Sequence, residues 1–182
     1  YFCSLRCQSE FQKAPEKYIP EHKRTPAFTE IPKKVLLSPW AFTGVVLSVA
    51  EMFKKEAIGY LLGNCTDSIV NVECAIPFQT GKRGYIYSVV SLRRLEWVRD
   101  LTERIHPVIH WIGDYHSHPQ HGNVLRLHFP SLLDVEDMEP GYLYLVVSVN
   151  EVTICEEWKT NRNRHTLSGT LGKLRMEIAG YC

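Results

Sequence analysis

The sequence predicts an α/β fold in which helices flank a central mixed β-sheet. Its 182 residues are enough to bury a hydrophobic core, and 45% of them are apolar. Apolar residues recur at helical spacing in the stretches 39–55 and 92–105, whereas the stretches around them have the length and composition of strands. The formal charge of +1 gives no electrostatic reason to expect nucleic acid or an anionic membrane as a partner.

Capping and turn residues delimit the predicted elements. Ser38 is suited to cap a helix whose first position is Pro39, and the helical spacing of apolar residues continues to Lys55. The next strand begins at Glu56 and ends at Gly63. The remaining predicted elements are strands at 34–37, 68–78, 85–90, 108–115, 142–149, 152–158 and 166–178, a loop at 79–84, and helices at 92–105 and 131–137.

The stretch 111–134 carries the residues with the clearest chemistry. His116 and His118 lie where an apolar strand ends, and alternate residues of a strand project from the same face. Asp134 opens a short helix and can reach the same point. Two imidazoles and a carboxylate can bind zinc and leave one coordination position open, which metal-assisted hydrolysis requires. A lone His-x-His pair is more often exposed to solvent, but Ser131 and an upstream strand that begins with glutamate favour a metal site.

Together these residues resemble the signature of the JAMM/MPN+ metalloprotease family. The matching segments are Glu56-x-x-Gly59-x-Leu61-x-Gly63, His116-Ser117-His118-Pro119 and Ser131-Leu132-Leu133-Asp134. The resemblance covers about residues 35–160 and implies the MPN (JAMM) fold with cytidine-deaminase-like layering. Members of the family usually have a shorter connection between the proline and the serine than the eleven residues found here, Gln120 to Pro130.

The resemblance also implies a role for each matching polar residue. His116, His118 and Asp134 would be the zinc ligands, with water as the fourth. Glu56 would be the general base that accepts a proton from this water and passes it to the leaving amine. Ser131 would donate a hydrogen bond to the oxyanion of the tetrahedral intermediate.

Other residues carry a weaker signal. Glu51 and Glu73 compete with Glu56 for the role of base, but Glu51 lies inside the predicted helix and Glu73 lacks the neighbouring glycines. His121 and His128 lie in the eleven-residue loop, where we expect histidines to face solvent or contact substrate. This loop and the loop at 79–84 are candidates to bind an extended substrate tail.

The function implied by the resemblance is that of a zinc-dependent isopeptidase, which removes ubiquitin or a ubiquitin-like modifier from lysine of conjugated proteins. Three alternatives remain open: a JAMM hydrolase of small sulfur-carrier protein adducts, a catalytically silent MPN scaffold, and a module whose functional part is an N-terminal zinc knuckle. Silent scaffolds typically lack a ligand residue, and none is missing here. We expect protein conjugates as partners, within a larger protein complex, and no nucleic acid or membrane.

Residues 1–33 differ from the rest, and we expect an N-terminal extension followed by the catalytic domain at 34–182. The spacing of Cys3 and Cys7 resembles half of a TRASH/YHS-type zinc knuckle. These two cysteines are therefore candidates for a second, structural zinc ion, whose other two ligands would lie before Tyr1. The spacing of the six cysteines is not that of a secreted disulfide scaffold, so we expect reduced thiols and a cytoplasmic location. A chain that begins with tyrosine is typical of a fragment or a processed product.

Overall fold

A computed structural model describes residues 26–79, 82–83, 88–89, 92–105 and 108–182. Within them, eight strands form one mixed sheet in the order β1-β3-β2-β6-β7-β10-β9-β8, and β4 pairs with β5 separately. The strands are β1 (Lys34–Leu37), β2 (Ile58–Thr66), β3 (Ile69–Pro77), β4 (Lys82–Arg83), β5 (Ser88–Val89), β6 (His110–Pro119), β7 (Leu143–Glu151), β8 (Lys159–Asn161), β9 (Thr166–Leu171) and β10 (Leu174–Tyr181), and the helices are α1 (Pro39–Glu51), α2 (Leu92–Ile105) and α3 (Leu132–Asp137). The predicted α/β class with a mixed sheet is confirmed, while the cytidine-deaminase-like layering stays a prediction. Among the described residues, no helix has the length and hydropathy that a bilayer crossing requires.

The strand that carries the two histidines lies in the middle of the sheet. On one side β6 pairs antiparallel with β2, with Ile58 opposite His116. On the other side β6 pairs parallel with β7, with Ser148 opposite His118. Strands on both sides form hydrogen bonds with the backbone of β6, so the backbone positions of the two histidines are fixed.

The first helix begins as predicted and ends one turn earlier. The Ser38 hydroxyl accepts a hydrogen bond from the Ala41 N–H at 3.0 Å, and Pro39 occupies the first helical position. We expected the helix to continue to Lys55, but it ends at Glu51 and turns follow. Lys54 adopts φ +79°, a left-handed conformation that a right-handed helix cannot contain.

The two long helices pack on opposite faces of the sheet. On the α1 face, the Tyr115 hydroxyl donates to the Ser48 Oγ at 2.9 Å within the buried core. On the other face, apolar residues of α2 contact a second cluster that includes Trp111. Because Tyr115 faces α1, the alternation of β6 directs His116 and His118 to the α2 face.

The C-terminal third differs from the predicted strand pattern. The prediction of a strand at 152–158 is wrong, because this segment is irregular and the next strand, β8, begins only at Lys159. Its aromatic residue, Trp158, packs edge-on against Phe42 of α1, with ring centroids 4.7 Å apart. The predicted strand at 166–178 is two strands, β9 and β10, joined by a tight turn in which Gly172 has φ +58°.

The last residues assigned to the N-terminal extension pack on the sheet. Phe28 is buried in the main core, and its N–H donates to the Gly141 carbonyl at 3.2 Å. Cys3 and Cys7 lie outside the described residues, as does the knuckle-like segment to which they belong.

Two glycines of β2 are required by close packing. A β-carbon at Gly59 would collide with the Tyr115 ring and the Ile76 carbonyl, and one at Gly63 would collide with the Asn71 carbonyl. Both positions lie where β2 is enclosed by its two neighbouring strands. The glycine spacing of the motif is therefore a packing requirement of the strand that follows Glu56.

We predict that Gly59→Ala lowers the free energy of unfolding by about 1–3 kcal/mol, because the new methyl group forces apart a strand and a buried ring. Gly180→Ala is the matched control, since its β-carbon would lie 3.4 Å from the Leu143 Cδ1, an ordinary contact. Urea unfolding of both variants checks this prediction. Equal stability of the two variants would contradict the packing explanation.

Candidate metal centre

Three side chains converge at the end of β6. The Nε2 atoms of His116 and His118 are 3.1 Å apart. The Asp134 carboxylate places Oδ1 3.5 Å from the His116 Nε2 and Oδ2 3.3 Å from the His118 Nε2. Ligand atoms at about 2.0–2.1 Å from a tetrahedral zinc ion are roughly 3.3–3.4 Å apart. The observed separations are close to that value, with a different carboxylate oxygen facing each imidazole, and the group could bind a metal ion.

A backbone carbonyl fixes the orientation of one imidazole. The His118 Nδ1 lies 3.3 Å from the Leu127 carbonyl oxygen. A carbonyl only accepts, so in the neutral ring the Nδ1 carries the hydrogen and the Nε2 keeps its lone pair. Burial and the neighbouring His116 lower the pKa of His118, against the opposing effects of Asp134 and the Leu127 carbonyl. Its lone pair at Nε2 is thus available to a metal at neutral pH.

The carboxylate is preorganised by the start of α3. The Ser131 N–H donates to the Asp134 Oδ2 at 2.6 Å, and the Asp134 N–H donates to the Ser131 Oγ at 3.2 Å, which is a capping box. Burial alone would raise the pKa of Asp134. The hydrogen bond and charge of His116, together with hydrogen bonding to Ser131, outweigh it and hold the pKa well below its usual range. The carboxylate is therefore ionised and fixed in orientation.

The helix that carries Asp134 has little apolar support of its own. No residue of α3 is buried, and Leu132 and Leu133 are 84% and 71% exposed. Directly after the helix, the Glu139 N–H donates to the Tyr144 hydroxyl at 2.8 Å. Polar contacts thus fix α3, and a metal bound to Asp134 would add a further link to the sheet.

The serine between the histidines connects β6 to the residue after Glu56. The Ser117 N–H donates to the Ala57 carbonyl at 2.9 Å, and the Ala57 N–H donates to the Ser117 Oγ at 2.8 Å. A hydroxyl in a buried strand needs a hydrogen-bond partner, and this rule was the available sequence signal for its role.

The strand register brings Glu56 to the two histidines. Ile58 lies opposite His116, so the same antiparallel register, continued by two residues, sets half-buried Glu56 opposite His118. Residues opposite each other on paired strands share a face of the sheet. The backbone thus sets all three residues on the α2 face.

The competing glutamates lie elsewhere. Glu51 ends α1, which packs on the opposite face of the sheet, and its side chain is exposed. Glu73 is exposed on β3, and β2 separates β3 from the histidine strand. Of the three, Glu56 alone is directed to the metal centre by the strand register.

The two loop histidines differ in their environments. His121 is exposed, and its backbone forms a bridge with Val124. His128 is only 5% exposed, with its Nδ1 3.4 Å from the Glu177 Oε2. The expectation that His128 faces solvent is wrong, because its ring is enclosed between the loop and β10, whereas its substrate contact stays a prediction. Half of the loop at 79–84 lies outside the described residues, so its predicted substrate contact stays a prediction.

Comparison with known proteins adds two findings. A family model described as prokaryotic homologs of the JAB domain, Prok-JAB, matches residues 42–161, a range that contains His116, His118 and Asp134. The solution structure of protein DSY2949 from Desulfitobacterium hafniense is similar, with a TM-score of 0.51 and 17% identity over 77% of this chain and 87% of that chain. At that identity the likeness concerns the fold alone. No curated protein matches the chain.

Replacing Ser117 with alanine should lower the free energy of unfolding by about 1–3 kcal/mol, because the buried Ala57 N–H loses its acceptor. The zinc content should not change, since the three ligand side chains remain. Urea unfolding and metal analysis measure the two effects. Thr43→Ala removes an exposed hydroxyl, which donates to the Pro39 carbonyl at 2.7 Å, and should cost less than about 0.5 kcal/mol. An equally small effect of both variants would contradict the proposed link.

Adding zinc should slow amide hydrogen exchange in α3 more than in α1, because α1 is anchored by apolar burial and α3 is not. Mass-spectrometric exchange with and without one equivalent of zinc gives the comparison. The same experiment on a His116→Ala/His118→Ala variant should show no zinc effect in α3. Bound zinc that leaves exchange of α3 unchanged would show that Asp134 is not a ligand.

Proposed function

The chain belongs to the family of prokaryotic homologs of the JAB domain, and from this premise we propose that it is a zinc-dependent isopeptidase. The JAB-like family includes both active isopeptidases and inactive scaffolds, so membership alone does not decide activity. The observation that carries the proposal is the convergence of two imidazole nitrogens and one carboxylate at separations close to those between zinc ligands. An inactive scaffold has no need for that arrangement.

The proposed site binds zinc through the Nε2 atoms of His116 and His118 and through the carboxylate of Asp134. Bound zinc supplies a Lewis acid that lowers the pKa of a water molecule from 15.7 to about 7. Three protein ligands leave the fourth position to water or substrate, as in catalytic and unlike closed structural sites. The proposed cofactor is therefore one catalytic zinc ion.

Glu56 is the proposed general base. Its carboxylate accepts a proton as the water oxygen bonds to the carbonyl carbon of the scissile amide. It then gives this proton to the leaving nitrogen, the C–N bond breaks, and the products are a carboxylic acid and the lysine amine. The register that sets Glu56 opposite His118 supports this role.

Ser131 is the proposed oxyanion donor. Its Oγ accepts from the Asp134 N–H, and a hydroxyl that accepts one hydrogen bond can still donate its own hydrogen. Directed at the substrate carbonyl oxygen, this hydrogen would stabilise the negative charge that develops during attack. A single such donor is worth about 10²–10³ in rate.

The proposed substrates are proteins conjugated through lysine to ubiquitin or a ubiquitin-like modifier. An isopeptide bond at the end of an extended tail suits a metal centre at the end of a strand, bordered by a long loop. Adducts of small sulfur-carrier proteins carry the same type of acyl bond and are the second candidate. We also propose that the chain acts within a larger protein complex. His121 of the long loop is a proposed substrate contact.

Glu56→Gln should reduce cleavage by about 10²–10⁴-fold, because the amide cannot accept the proton, while zinc content stays at one per chain. A panel of ubiquitin, ubiquitin-like and sulfur-carrier conjugates, incubated with the zinc-loaded chain, supplies the substrate. Glu73→Gln is the matched control and should cleave like the wild type.

The His116→Ala/His118→Ala variant should lose both the zinc and the cleavage. Wild-type chain that binds zinc and cleaves nothing in the panel would indicate the scaffold alternative. Cleavage at the wild-type rate by Glu56→Gln would exclude Glu56 as the base. Cleavage of sulfur-carrier adducts alone would identify the second candidate.

A further inference from the structure

We propose that Asn150 is a positioning residue for the metal centre, which holds the loop carbonyl that orients His118. The inference rests on the proposed zinc site and names a residue outside the ligands, base and oxyanion donor. Asn150 lies in β7 and is only 8% exposed, so both polar atoms of its side chain require partners.

Asn150 finds both partners on one loop residue. Its Oδ1 accepts from the Arg126 N–H at 2.8 Å, and its Nδ2 donates to the Arg126 carbonyl at 2.9 Å. The amide therefore pairs with the backbone of Arg126 as a neighbouring strand would. The next carbonyl along the chain is that of Leu127, which lies 3.3 Å from the His118 Nδ1.

The register explains why this side chain reaches the loop. His118 lies opposite Ser148 on the parallel strand β7, and Asn150 is two residues further along the same face. The loop crosses that face directly above β7. Asn150 is thus connected to His118 by two hydrogen bonds to the Arg126 backbone, by the chain from Arg126 to Leu127, and by one hydrogen bond from the imidazole to the Leu127 carbonyl.

Apolar burial does not fix this part of the loop. The side chains of Leu125, Leu127 and Phe129 are 64%, 61% and 58% exposed. On the other side of Leu127, the Tyr181 hydroxyl donates to the His128 carbonyl at 3.1 Å. Polar anchors on both sides therefore determine the position of the Leu127 carbonyl, and Asn150 supplies two of the hydrogen bonds.

The test replaces Asn150 with leucine, which keeps the number and branching of the side-chain heavy atoms and removes both hydrogen bonds. Zinc affinity should fall about 10–100-fold, the usual effect of losing a group that orients a metal ligand. In the zinc-free chain, nitrogen-15 NMR of the histidine rings should show His118 shift from the Nδ1–H tautomer to a mixture of tautomers. A residue with only a structural role would not change the tautomer.

Asn71→Leu is the matched control. Asn71 lies on β3, where its amide donates to the Asn64 Oδ1 at 3.0 Å, away from the metal centre. This variant should keep the zinc affinity and the His118 tautomer of the wild type. Asn150→Asp keeps the acceptor for the Arg126 N–H and loses the donor, so its zinc affinity should lie between those of wild type and Asn150→Leu.

The outcomes separate this inference from the proposed function. If wild type binds no zinc at the histidines, both fail. If wild type binds zinc and folded Asn150→Leu has the same affinity and the same His118 tautomer, the inference alone is overturned. If Asn150→Leu does not fold, the test uses the zinc affinity and the His118 tautomer of Asn150→Asp. The inference is overturned if both are the same as in the wild type.

Discussion

The convergence of two imidazole nitrogens and a carboxylate is the constraint on which the rest of this structure depends. With Nε2 atoms 3.1 Å apart, His116 and His118 direct their lone pairs to one point, a costly arrangement unless a proton or a metal lies between them. The ionised Asp134 completes the group and favours a cation there. A divalent metal satisfies all three side chains at once, whereas a single proton satisfies only one pair.

Different parts of the fold maintain this convergence by different forces. The sheet sets the histidines by strand alternation and register, supported from the α1 face by the buried Tyr115. The helix α3 sets Asp134 through a capping box, with almost no apolar burial. The loop after β6 sets the ring of His118 through a carbonyl. A rigid element thus carries the two histidines, whereas polar contacts orient Asp134 and the tautomer of His118, which would suit the proposed hydrolytic site.

The sequence was sufficient for the parts that follow from local rules. Strand alternation predicted that His116 and His118 share a face, and the Ser-Pro start of α1 was predicted from capping. Long-range pairing was not predictable in the same way. The partners of Ser117 and Asn150 lie 60 and 24 residues away, and the sequence does not state which backbone groups will be left for them. The false strand at 152–158 has a different origin, because the segment has the β-branched composition of a strand although Ile154 is 74% exposed and Trp158 packs on α1.

X-ray absorption at the zinc edge of the chain loaded with one equivalent of zinc tests the central claim most directly. We expect a first shell of four nitrogen and oxygen atoms at about 2.0 Å, with the outer-shell scattering of two imidazoles and no sulfur. A shell with sulfur at about 2.3 Å would place the zinc at cysteines instead. That result, or a chain that binds no zinc, would contradict a metal centre formed by His116, His118 and Asp134.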